Sequence, residues 1–136
     1  MLYFAYGSNL NHFQMKRRCK DSKFIKKINL KNYNLTFRSK YKAADIEQKK
    51  NSIVPGGLFE ISKSDEKKLD IYEDYPILYK KIYFTYYGKK IMTYTMSKKT
   101  SFRYPTERYL NVVKRGYKDC KPVSYTHLTL PTTPYV

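Results

Sequence analysis

The sequence has few of the residues that form covalent or metal-based scaffolds. Its 136 residues include two cysteines, two histidines and no tryptophan. Cys19 and Cys120 form no CxxC pair and have no metal-ligand spacing, which argues against a disulfide framework and against a metal site. We therefore expect a protein of a reduced, cytoplasmic compartment that binds no metal, and in which both cysteines are packing residues.

Long apolar runs are absent as well. No run approaches the roughly 18 residues that a membrane span needs. The first residues lack the basic segment of a secretory signal, and polar residues begin already at Gly7. We therefore expect neither a membrane-spanning segment nor a membrane partner.

Acidic residues are strongly outnumbered by basic ones. The chain has 11 Asp and Glu against 28 Lys and Arg, a formal net charge of +17. Such an excess is found in proteins that bind nucleic acid or anionic membranes. The lysines are nevertheless spread along the chain as pairs and single residues, which is typical of a solvated surface that protects sheet edges. Nucleic acid is therefore the less favoured partner.

Tyrosine is the residue that the chain has in abundance. Its 16 tyrosines and 7 phenylalanines, with 41% hydrophobic residues overall, fit one compact domain with a modest core. We place this domain at residues 1–121. Residues 122–136 are rich in threonine and proline and contain no charged side chain. We expect this tail to be disordered or non-native, from a frameshift or a sequencing junction, and to add no function; a natural tail is the alternative.

Apolar periodicity and turn residues predict a mixture of short strands and helices. The predicted strands are residues 2–6, 33–37, 43–46, 58–61, 79–87 and 90–95. The predicted helices are residues 11–20, 62–75 and 105–116, with Asn11 and Ser62 or Ser64 as N-caps.

The junction between the first strand and the first helix is the most informative local feature. The apolar residues 2–6 stop abruptly at Gly7-Ser8-Asn9, and a polar helix follows. A strand that turns directly into a helix leaves backbone N–H groups unpaired and directed outward. The junction is therefore a natural receptor for a carboxylate or a phosphate.

An acidic motif lies about sixty residues further on. In Leu69-Asp70-Ile71-Tyr72-Glu73-Asp74-Tyr75-Pro76, the glutamate falls at the C-terminal end of a predicted helix. Partial desolvation by the neighbouring tyrosines, the negative helix end and Asp74 should all raise the pKa of Glu73. A raised pKa suits a general acid/base near neutral pH. Considered alone, such a glutamate is more commonly a solvated acid at a helix end.

Four motifs, in order, resemble the gamma-glutamylcyclotransferase family, which includes the AIG2-like proteins. They are Tyr3-Phe-Ala-Tyr-Gly-Ser-Asn-Leu10, Gly57-Leu-Phe-Glu-Ile61, Leu69-Asp-Ile-Tyr-Glu73 and Pro105-Thr-Glu-Arg-Tyr109 with Val112, Val113 and Gly116. The resemblance covers residue 2 to about residue 120. It implies an α+β fold, with a small mixed or antiparallel, β-barrel-like sheet and short flanking helices.

The resemblance also implies an activity and a set of site residues. The family cyclises the γ-glutamyl group of an amine or amino acid derivative to 5-oxoproline and releases the amine, without a cofactor or metal. Carried over by position, Glu73 is the general acid/base and the backbone of the opening turn holds the γ-glutamyl group. The implied substrate-binding residues are Tyr6, Gly7, Ser8, Asn9, Leu10, Tyr79 and Tyr109.

This sequence departs from the family pattern in two places. The family usually has glycine after the glutamate, where this chain has Asp74. Aspartate tolerates unusual backbone angles better than most residues, but it adds a charge that could shift the pKa of Glu73 or alter substrate choice. In addition, the tail replaces the segment with which the family commonly continues.

The sequence is also compatible with functions of other classes. Ser8 could act as a nucleophile with His12 nearby, although no G-x-S-x-G pattern is present; Ser8 more simply shapes the turn, and His12 is expected on an exposed helix face. A basic nucleic-acid-binding module is a second possibility, and a third is a member of the same fold that binds a metabolite without turnover. Neither the identity of the γ-glutamyl compound nor the oligomeric state follows from the sequence; loops at residues 40–52 and 98–104 are expected to form the leaving-group side.

Overall fold

A computed structural model describes residues 1–120 and confirms the mixed α+β fold. In chain order the elements are β1 (Leu2–Ala5), a short 3-10 turn (Ser8–Leu10), α1 (His12–Arg18), β2 (Lys23–Arg38), β3 (Ala43–Glu60), α2 (Lys63–Tyr72), β4 (Tyr79–Tyr86), β5 (Lys89–Met96) and α3 (Glu107–Cys120). The predicted tail, residues 122–136, lies outside the described residues. No helix in the described part of the chain is long and apolar enough to cross a membrane.

The five strands form one mixed sheet in the order β2-β3-β1-β5-β4. β1 is parallel to β5, and the other neighbouring strands are antiparallel. The sheet curls, so that Nζ of Lys26 on β2 lies 5.4 Å from the ring centroid of Tyr86 on β4, although these strands are the two edges. It does not close, however. The expected barrel-like sheet is therefore a strongly curved, open one.

The long β2–β3 hairpin differs from the sequence prediction. Residues 43–46 and 58–61 were expected to be separate strands, but β3 runs without a break from Ala43 to Glu60. Tyr33 pairs with Gln48 while Lys31 pairs with Ile53, so the intervening polar residues form a bulge. Asn32 and Asn51 have φ values of 65° and 67° there, a left-handed conformation that asparagine tolerates. The later part of the predicted loop at residues 40–52 therefore forms this bulge.

Two hydrophobic clusters lie on opposite faces of the sheet, and β1 contributes to both. Tyr3 and Ala5 pack in the cluster on the helical side. Phe4 and Tyr6 pack in the cluster that fills the curve of the sheet. Because successive strand residues point to opposite faces, a strand covered on both faces has a continuous apolar sequence. This explains why residues 2–6 show no polar alternation.

The predicted helix starts are confirmed by the capping interactions. Oδ1 of Asn11 accepts a hydrogen bond from the backbone N–H of Gln14 at 3.1 Å, at the start of α1. Ser62 and Asp65 form a reciprocal capping box at the start of α2, which stabilises a helix terminus by satisfying two orphan donors. These caps fix where α1 begins after the turn and where α2 begins after β3.

Gly116 on α3 lets this helix pack directly against the turn that follows β1. A Cβ atom at this position would lie 2.4 Å from Cβ of Leu10 and 2.5 Å from the backbone nitrogen of Asn11. Such distances are impossible without displacement of the helix or the turn. α3 therefore supports the opening turn from behind.

Candidate active site

A pocket of about 560 Å³ lies where the turn after β1 meets the end of α2. The first residues of β3 and β4, the middle of β5 and the start of α3 complete its wall. Most of its lining side chains are aromatic or polar. The lining residues are Tyr3, Tyr6, Gly7, Ser8, Asn9, Tyr41, Ala43, Ala44, Ile71, Tyr72, Glu73, Asp74, Leu78, Tyr79, Tyr94 and Tyr109.

Seven of the eight residues predicted for the site line this pocket. They are Tyr6, Gly7, Ser8, Asn9, Glu73, Tyr79 and Tyr109. The eighth, Leu10, is not a lining residue: its side chain is fully buried in the core. Its backbone N–H also donates to the carbonyl of Gly7 at 3.0 Å, so it is already used within the turn.

The turn itself presents two side chains and the start of a 3-10 helix to the pocket. The first N–H groups of a helix have no carbonyl partner within that helix, and in this 3-10 turn they belong to Ser8 and Asn9. The guanidinium of Arg18 lies behind them and donates to Oγ of Ser8 at 3.0 Å and to Oδ1 of Asn9 at 2.5 Å. Arg18 thus adds a positive charge at the end of the pocket where the turn lies.

Glu73 faces this turn across the pocket. It caps the C-terminus of α2, where its N–H donates to the carbonyl of Leu69 at 2.8 Å. Nδ2 of Asn9 donates to Oε1 of Glu73 at 3.4 Å. Burial raises the pKa of Glu73 to about 7, and the charge of Arg18 opposes this rise. The predicted direction is therefore found, and burial is its main cause.

Asp74, where the resemblance implies a glycine, has an unusual backbone conformation. Its φ is 51°, in the left-handed region, which glycine adopts freely and aspartate more readily than most residues. The chain reverses here, because the N–H groups of Ile77 and Leu78 both donate to the carbonyl of Asp74 at 2.8 and 2.9 Å. This reversal holds Glu73 at the pocket.

Two tyrosine hydroxyl groups hold the peptide groups of Ala44 from opposite sides. The hydroxyl of Tyr79 donates to the carbonyl of Ala44 at 2.6 Å. The hydroxyl of Tyr109 instead accepts from the N–H of Ala44 at 3.1 Å. A hydroxyl that accepts still has its own proton to donate. Tyr109 can therefore offer a proton to a ligand, whereas Tyr79 uses its proton on β3.

Gly7 brings the backbone of the turn close to the opposite wall. A Cβ atom at this position would lie 3.1 Å from Cβ of Ala44 and 3.3 Å from the hydroxyl of Tyr109. Both neighbours would have to move by a few tenths of an ångström. The glycine thus sets how closely the turn and the wall approach each other.

The structure brings to the site several residues that the sequence analysis did not identify. Arg18 lies at the end of α1 in a run of three basic residues, and nothing in that run distinguishes it. The hydroxyl of Tyr3 accepts from Nδ2 of Asn9 at 2.9 Å; the alternation of β1 could have placed it on the face of Ala5. Among the described residues, the loop at 98–104 contributes none to the pocket, contrary to expectation.

The surroundings of Ser8 and His12 argue against a serine nucleophile. Oγ of Ser8 contacts Arg18 and, at 3.3 Å, the hydroxyl of Tyr72, and neither is the histidine or carboxylate that commonly activates a serine nucleophile. His12 is only partly exposed, and its ring packs 4.7 Å from that of Phe24, which corrects the expected exposed position. No group of three or more His, Cys, Asp and Glu residues within residues 1–120 could hold a metal ion.

Comparison with protein families gives one match that covers most of the chain. Residues 3–113 match the model of the family described as Gamma-glutamyl cyclotransferase, AIG2-like. The chain belongs to this family. The matched segment contains the opening turn, Glu73, Tyr79 and Tyr109, and so the whole of the pocket. No curated protein sequence matches significantly.

Solved structures share the fold. A structure named "Gamma-glutamyl cyclotransferase" superposes with a TM-score of 0.77 at 25% identity, over 100% of this chain and 92% of that one. An uncharacterized protein from Homo sapiens gives a TM-score of 0.76 at 27% identity, over 93% and 83% of the two chains. An AIG2-like protein from Mus musculus, at 17% identity, has the same fold with a TM-score of 0.58, over 80% and 81%.

Proposed function

We propose that the protein cyclises the γ-glutamyl group of a γ-glutamyl amine or amino acid to 5-oxoproline and releases the amine, with Glu73 as general acid/base. The observation that carries this proposal is the position of Glu73: a buried carboxyl group with a pKa of about 7 faces the turn across one pocket. A carboxyl group of this pKa exchanges protons readily near neutral pH. Membership of the cyclotransferase family supports the reaction type.

The opening turn would hold the α-carboxylate of the substrate. The first N–H groups of its 3-10 helix are the donors, and Arg18 supplies a positive charge behind them. A carboxylate bound to backbone donors beside a guanidinium is stabilised by charge-assisted hydrogen bonds. Asn9 belongs to this turn and its side chain is hydrogen-bonded to Glu73. A substrate whose α-carboxylate is bound at the turn therefore has its α-amine close to Glu73.

The reaction needs one proton carrier. The Glu73 carboxylate takes a proton from the α-ammonium, and the free amine then attacks the γ-carbonyl carbon. The new C–N bond closes a five-membered ring, and the bond to the leaving nitrogen breaks as that nitrogen receives this proton from Glu73. The Glu73 carboxylate then takes the second proton from the ring nitrogen, which becomes the lactam N–H, and releases it to the amine product or to solvent. Because nucleophile and carbonyl belong to one molecule, holding them in an attack geometry supplies much of the rate.

The hydroxyl of Tyr109 is the donor best suited to the oxygen that becomes negative in this step. It accepts from the N–H of Ala44 and keeps its own proton for the ligand. Its pKa is raised above the ordinary value for tyrosine, chiefly by burial, so that it stays a neutral donor at the working pH. A fixed donor of this kind stabilises a developing oxyanion without reorganisation.

The decisive experiment is an assay for 5-oxoproline with a panel of γ-glutamyl amines and γ-glutamyl amino acids. We expect turnover by the wild type and its loss in Glu73→Gln, with the circular dichroism spectrum unchanged. Glu66→Gln is the matched control, because Glu66 lies on the same helix, pairs with Lys81 at 2.9 Å and is not a lining residue. Substantial turnover by Glu73→Gln would remove Glu73 from this role.

Nucleic-acid binding is a second candidate, favoured by the distribution of basic and aromatic side chains at the β4–β5 hairpin. Nζ of Lys90 lies 4.4 Å from the ring centroid of Tyr83, and Tyr87 is 86% exposed. Stacking and basic residues together bind single strands. Steeply salt-dependent binding of an oligonucleotide, without 5-oxoproline formation, would favour this function over catalysis.

Cys19 and Cys120 are free thiols, which supports our proposal of a reduced, cytoplasmic compartment.

A further inference from the structure

The start of β3 forms part of the pocket wall, and within residues 1–120 it is paired with a strand on one side only. Residues 43–48 pair with β2, whereas β1 pairs with residues 57–60 at the other end of β3. In an antiparallel pair, every second residue directs its N–H and C=O groups away from the partner strand. At the start of β3 these residues are Ala44 and Ile46, whose backbone groups are bonded to side chains instead. The position of this wall therefore depends on those side chains.

Two of these side chains come from β5 and the segment that follows it. Oγ1 of Thr95 and Nζ of Lys99 both donate to the carbonyl of Ile46, each at 3.2 Å. Thr95 lies on β5, and Lys99 comes three residues after the end of this strand. Lys99 is not a lining residue of the pocket. It therefore contacts the pocket wall without being able to contact a ligand.

Asp45 is the residue after Ala44, and its carboxylate is fully buried. Its Oδ1 accepts from the backbone N–H of Met96 at 2.8 Å and from Oγ1 of Thr95 at 3.0 Å. Its Oδ2 lies 2.8 Å from Nζ of Lys99 and 3.0 Å from Nε of Arg38. A buried charge is tolerated only when it is paired and hydrogen-bonded. These contacts therefore restrict the Asp45 side chain to one position.

The backbone connects this position to the pocket. The carbonyl of Ala44 and the N–H of Asp45 belong to one planar peptide group. That carbonyl accepts from Tyr79, and the N–H of Ala44 donates to the hydroxyl of Tyr109 at 3.1 Å. A displacement of Asp45 would therefore move the groups to which both tyrosine hydroxyls are bonded.

The two cations beside Asp45 differ in what else they hold. The Arg38 side chain is 6% exposed, and it also pairs with Glu47, so that it supports the β2–β3 hairpin itself. The Lys99 side chain is 40% exposed, and its bonds to Asp45 and Ile46 connect the start of β3 to the segment after β5. Lys99 can therefore be replaced with less damage to the fold than Arg38.

We propose that Lys99 is a positioning residue of the active site. Its ammonium group holds Asp45 and Ile46, and through them the peptide groups of Ala44 that orient the Tyr109 hydroxyl. The catalytic consequence rests on the proposed cyclotransferase function, in which this hydroxyl donates to the oxyanion. Because Lys99 does not contact the ligand, its loss should lower kcat and leave KM nearly unchanged.

The kinetic test compares Lys99→Met with Lys99→Arg. We expect kcat in Lys99→Met to fall about five-fold, since small displacements of a positioned donor are costly in rate. Lys99→Arg restores the cation and should recover most of kcat. Lys98→Met is the matched control, because it removes the same charge from the neighbouring exposed residue, and it should retain the wild-type kcat. Wild-type kcat in Lys99→Met would overturn the inference.

A double-mutant cycle shows whether Lys99 acts through Tyr109. In the Tyr109→Phe background no hydroxyl remains to be oriented, so Lys99→Met should change kcat by less than about two-fold. An equal loss of kcat in both backgrounds would overturn the inference. If Lys99→Met fails to fold, Lys99→Met/Asp45→Asn replaces it in both kinetic tests, because removing both charges leaves neither one buried and unpaired; Arg38 keeps Glu47 as its partner.

Amide hydrogen exchange tests the positioning without turnover. We expect the Ala44 N–H to exchange about ten-fold faster in Lys99→Met than in the wild type, while the amides of β1 keep their wild-type rates, as in a local opening. Unchanged exchange at Ala44, or an equal acceleration at Ala44 and in β1, would overturn the inference. If the wild type forms no 5-oxoproline, the proposed function fails, whereas a selective acceleration at Ala44 still supports the positioning by Lys99.

Discussion

Asn9 and Glu73, 64 residues apart in the chain, are joined by a hydrogen bond of 3.4 Å across the pocket. Asn9 belongs to the turn after β1, and Glu73 ends α2. The same Asn9 side chain also contacts Tyr3 and Arg18. It therefore connects the proposed carboxylate-binding turn, the proposed general base and the charge of Arg18 in one network. This connection has consequences for pH dependence, for stability and for the geometry of the turn.

The pH dependence of catalysis should follow the ionisation of Glu73. Its pKa is about 7, and the base must be ionised to accept a proton. We expect kcat/KM to rise with pH through an apparent pKa near this value and to level off above it. Steady-state 5-oxoproline assays between pH 5 and 9 measure this limb. A profile that is already flat at pH 5 would contradict the assignment.

Arg18 should set the pH at which kcat/KM rises. Its charge lowers the pKa of Glu73, so its removal in Arg18→Gln should move the limb to higher pH, by about 0.5–1 unit for a neighbouring charge. It should also lower kcat/KM, because Ser8 and Asn9 lose their support. Arg18→Lys restores the charge without the guanidinium fork. In Arg18→Lys the apparent pKa of the rise in kcat/KM should return to the wild-type value, while the maximal kcat/KM recovers only in part.

The burial of Glu73 should destabilise the folded protein above neutral pH. Its folded pKa of about 7 lies above the ordinary value of 4.5. Below the lower value both states bind the proton and no cost arises. Between the two values the unfolded state releases its proton first, so the free energy of unfolding decreases as the pH rises, and above the upper value the full cost of up to about 3 kcal/mol is present.

Glu73→Gln removes this ionisation and should therefore be the more stable protein at pH 8. At pH 4 the Glu73 carboxyl group is mostly protonated in both the folded and the unfolded state. The two proteins should then differ only by the pH-independent effect of the side-chain replacement on the urea midpoint. Urea denaturation at pH 4, 6 and 8 gives the difference directly, with the exposed Glu60→Gln as a control whose offset does not vary with pH. A stability difference that is independent of pH would show that the Glu73 carboxyl group titrates normally.

Much of this site could be predicted from the sequence because its parts are local. The strand, the turn and the helix cap at residues 2–14 follow from residue types alone, and so does the placement of Glu73 at a helix end. The direction of its pKa shift was also predictable from neighbouring tyrosines. Each of these features depends on interactions between residues that are close in the chain.

The remaining features depend on contacts between distant residues. Arg18 approaches Ser8 and Asn9 only because α1 folds back beside the turn, and its sequence neighbours are equally basic. The β3 strand continues through a polar bulge because pairing with β2 supports it, which no local propensity reveals. The pocket mouth likewise combines Tyr41 with the end of α2, whereas the predicted loop at residues 98–104 lies elsewhere.

Gly7 should be required for catalysis rather than for folding. In Gly7→Ala the new methyl group meets Ala44 and the hydroxyl of Tyr109 at 3.1 and 3.3 Å, so the wall must shift. Small displacements of positioned groups are costly in rate, and we expect kcat/KM to fall about ten-fold or more. Gly88→Ala is the opposite case, because φ is +76° and no atom lies within 4 Å. It should cost about 1 kcal/mol of stability and leave kcat/KM unchanged.

The two tyrosines that hold Ala44 should differ in their contribution to catalysis. The hydroxyl of Tyr109 accepts a hydrogen bond from the N–H of Ala44 and can still donate one to the substrate. The hydroxyl of Tyr79 already donates its hydrogen bond to the carbonyl of Ala44. Tyr109→Phe should therefore lower kcat by about ten- to a hundred-fold, as expected for one lost donor to an oxyanion. Tyr79→Phe should mainly lower stability, by about 1–2 kcal/mol for a buried hydrogen bond.

Steady-state kinetics and urea denaturation of both tyrosine variants distinguish these roles. The comparison is matched, because each substitution removes one hydroxyl group that contacts the same residue. If Tyr79→Phe loses as much kcat as Tyr109→Phe, the position of β3 rather than a donated proton governs the rate. If Tyr109→Phe retains full kcat, the oxyanion must be stabilised by other donors, and the N–H groups of the opening turn would be the next to examine.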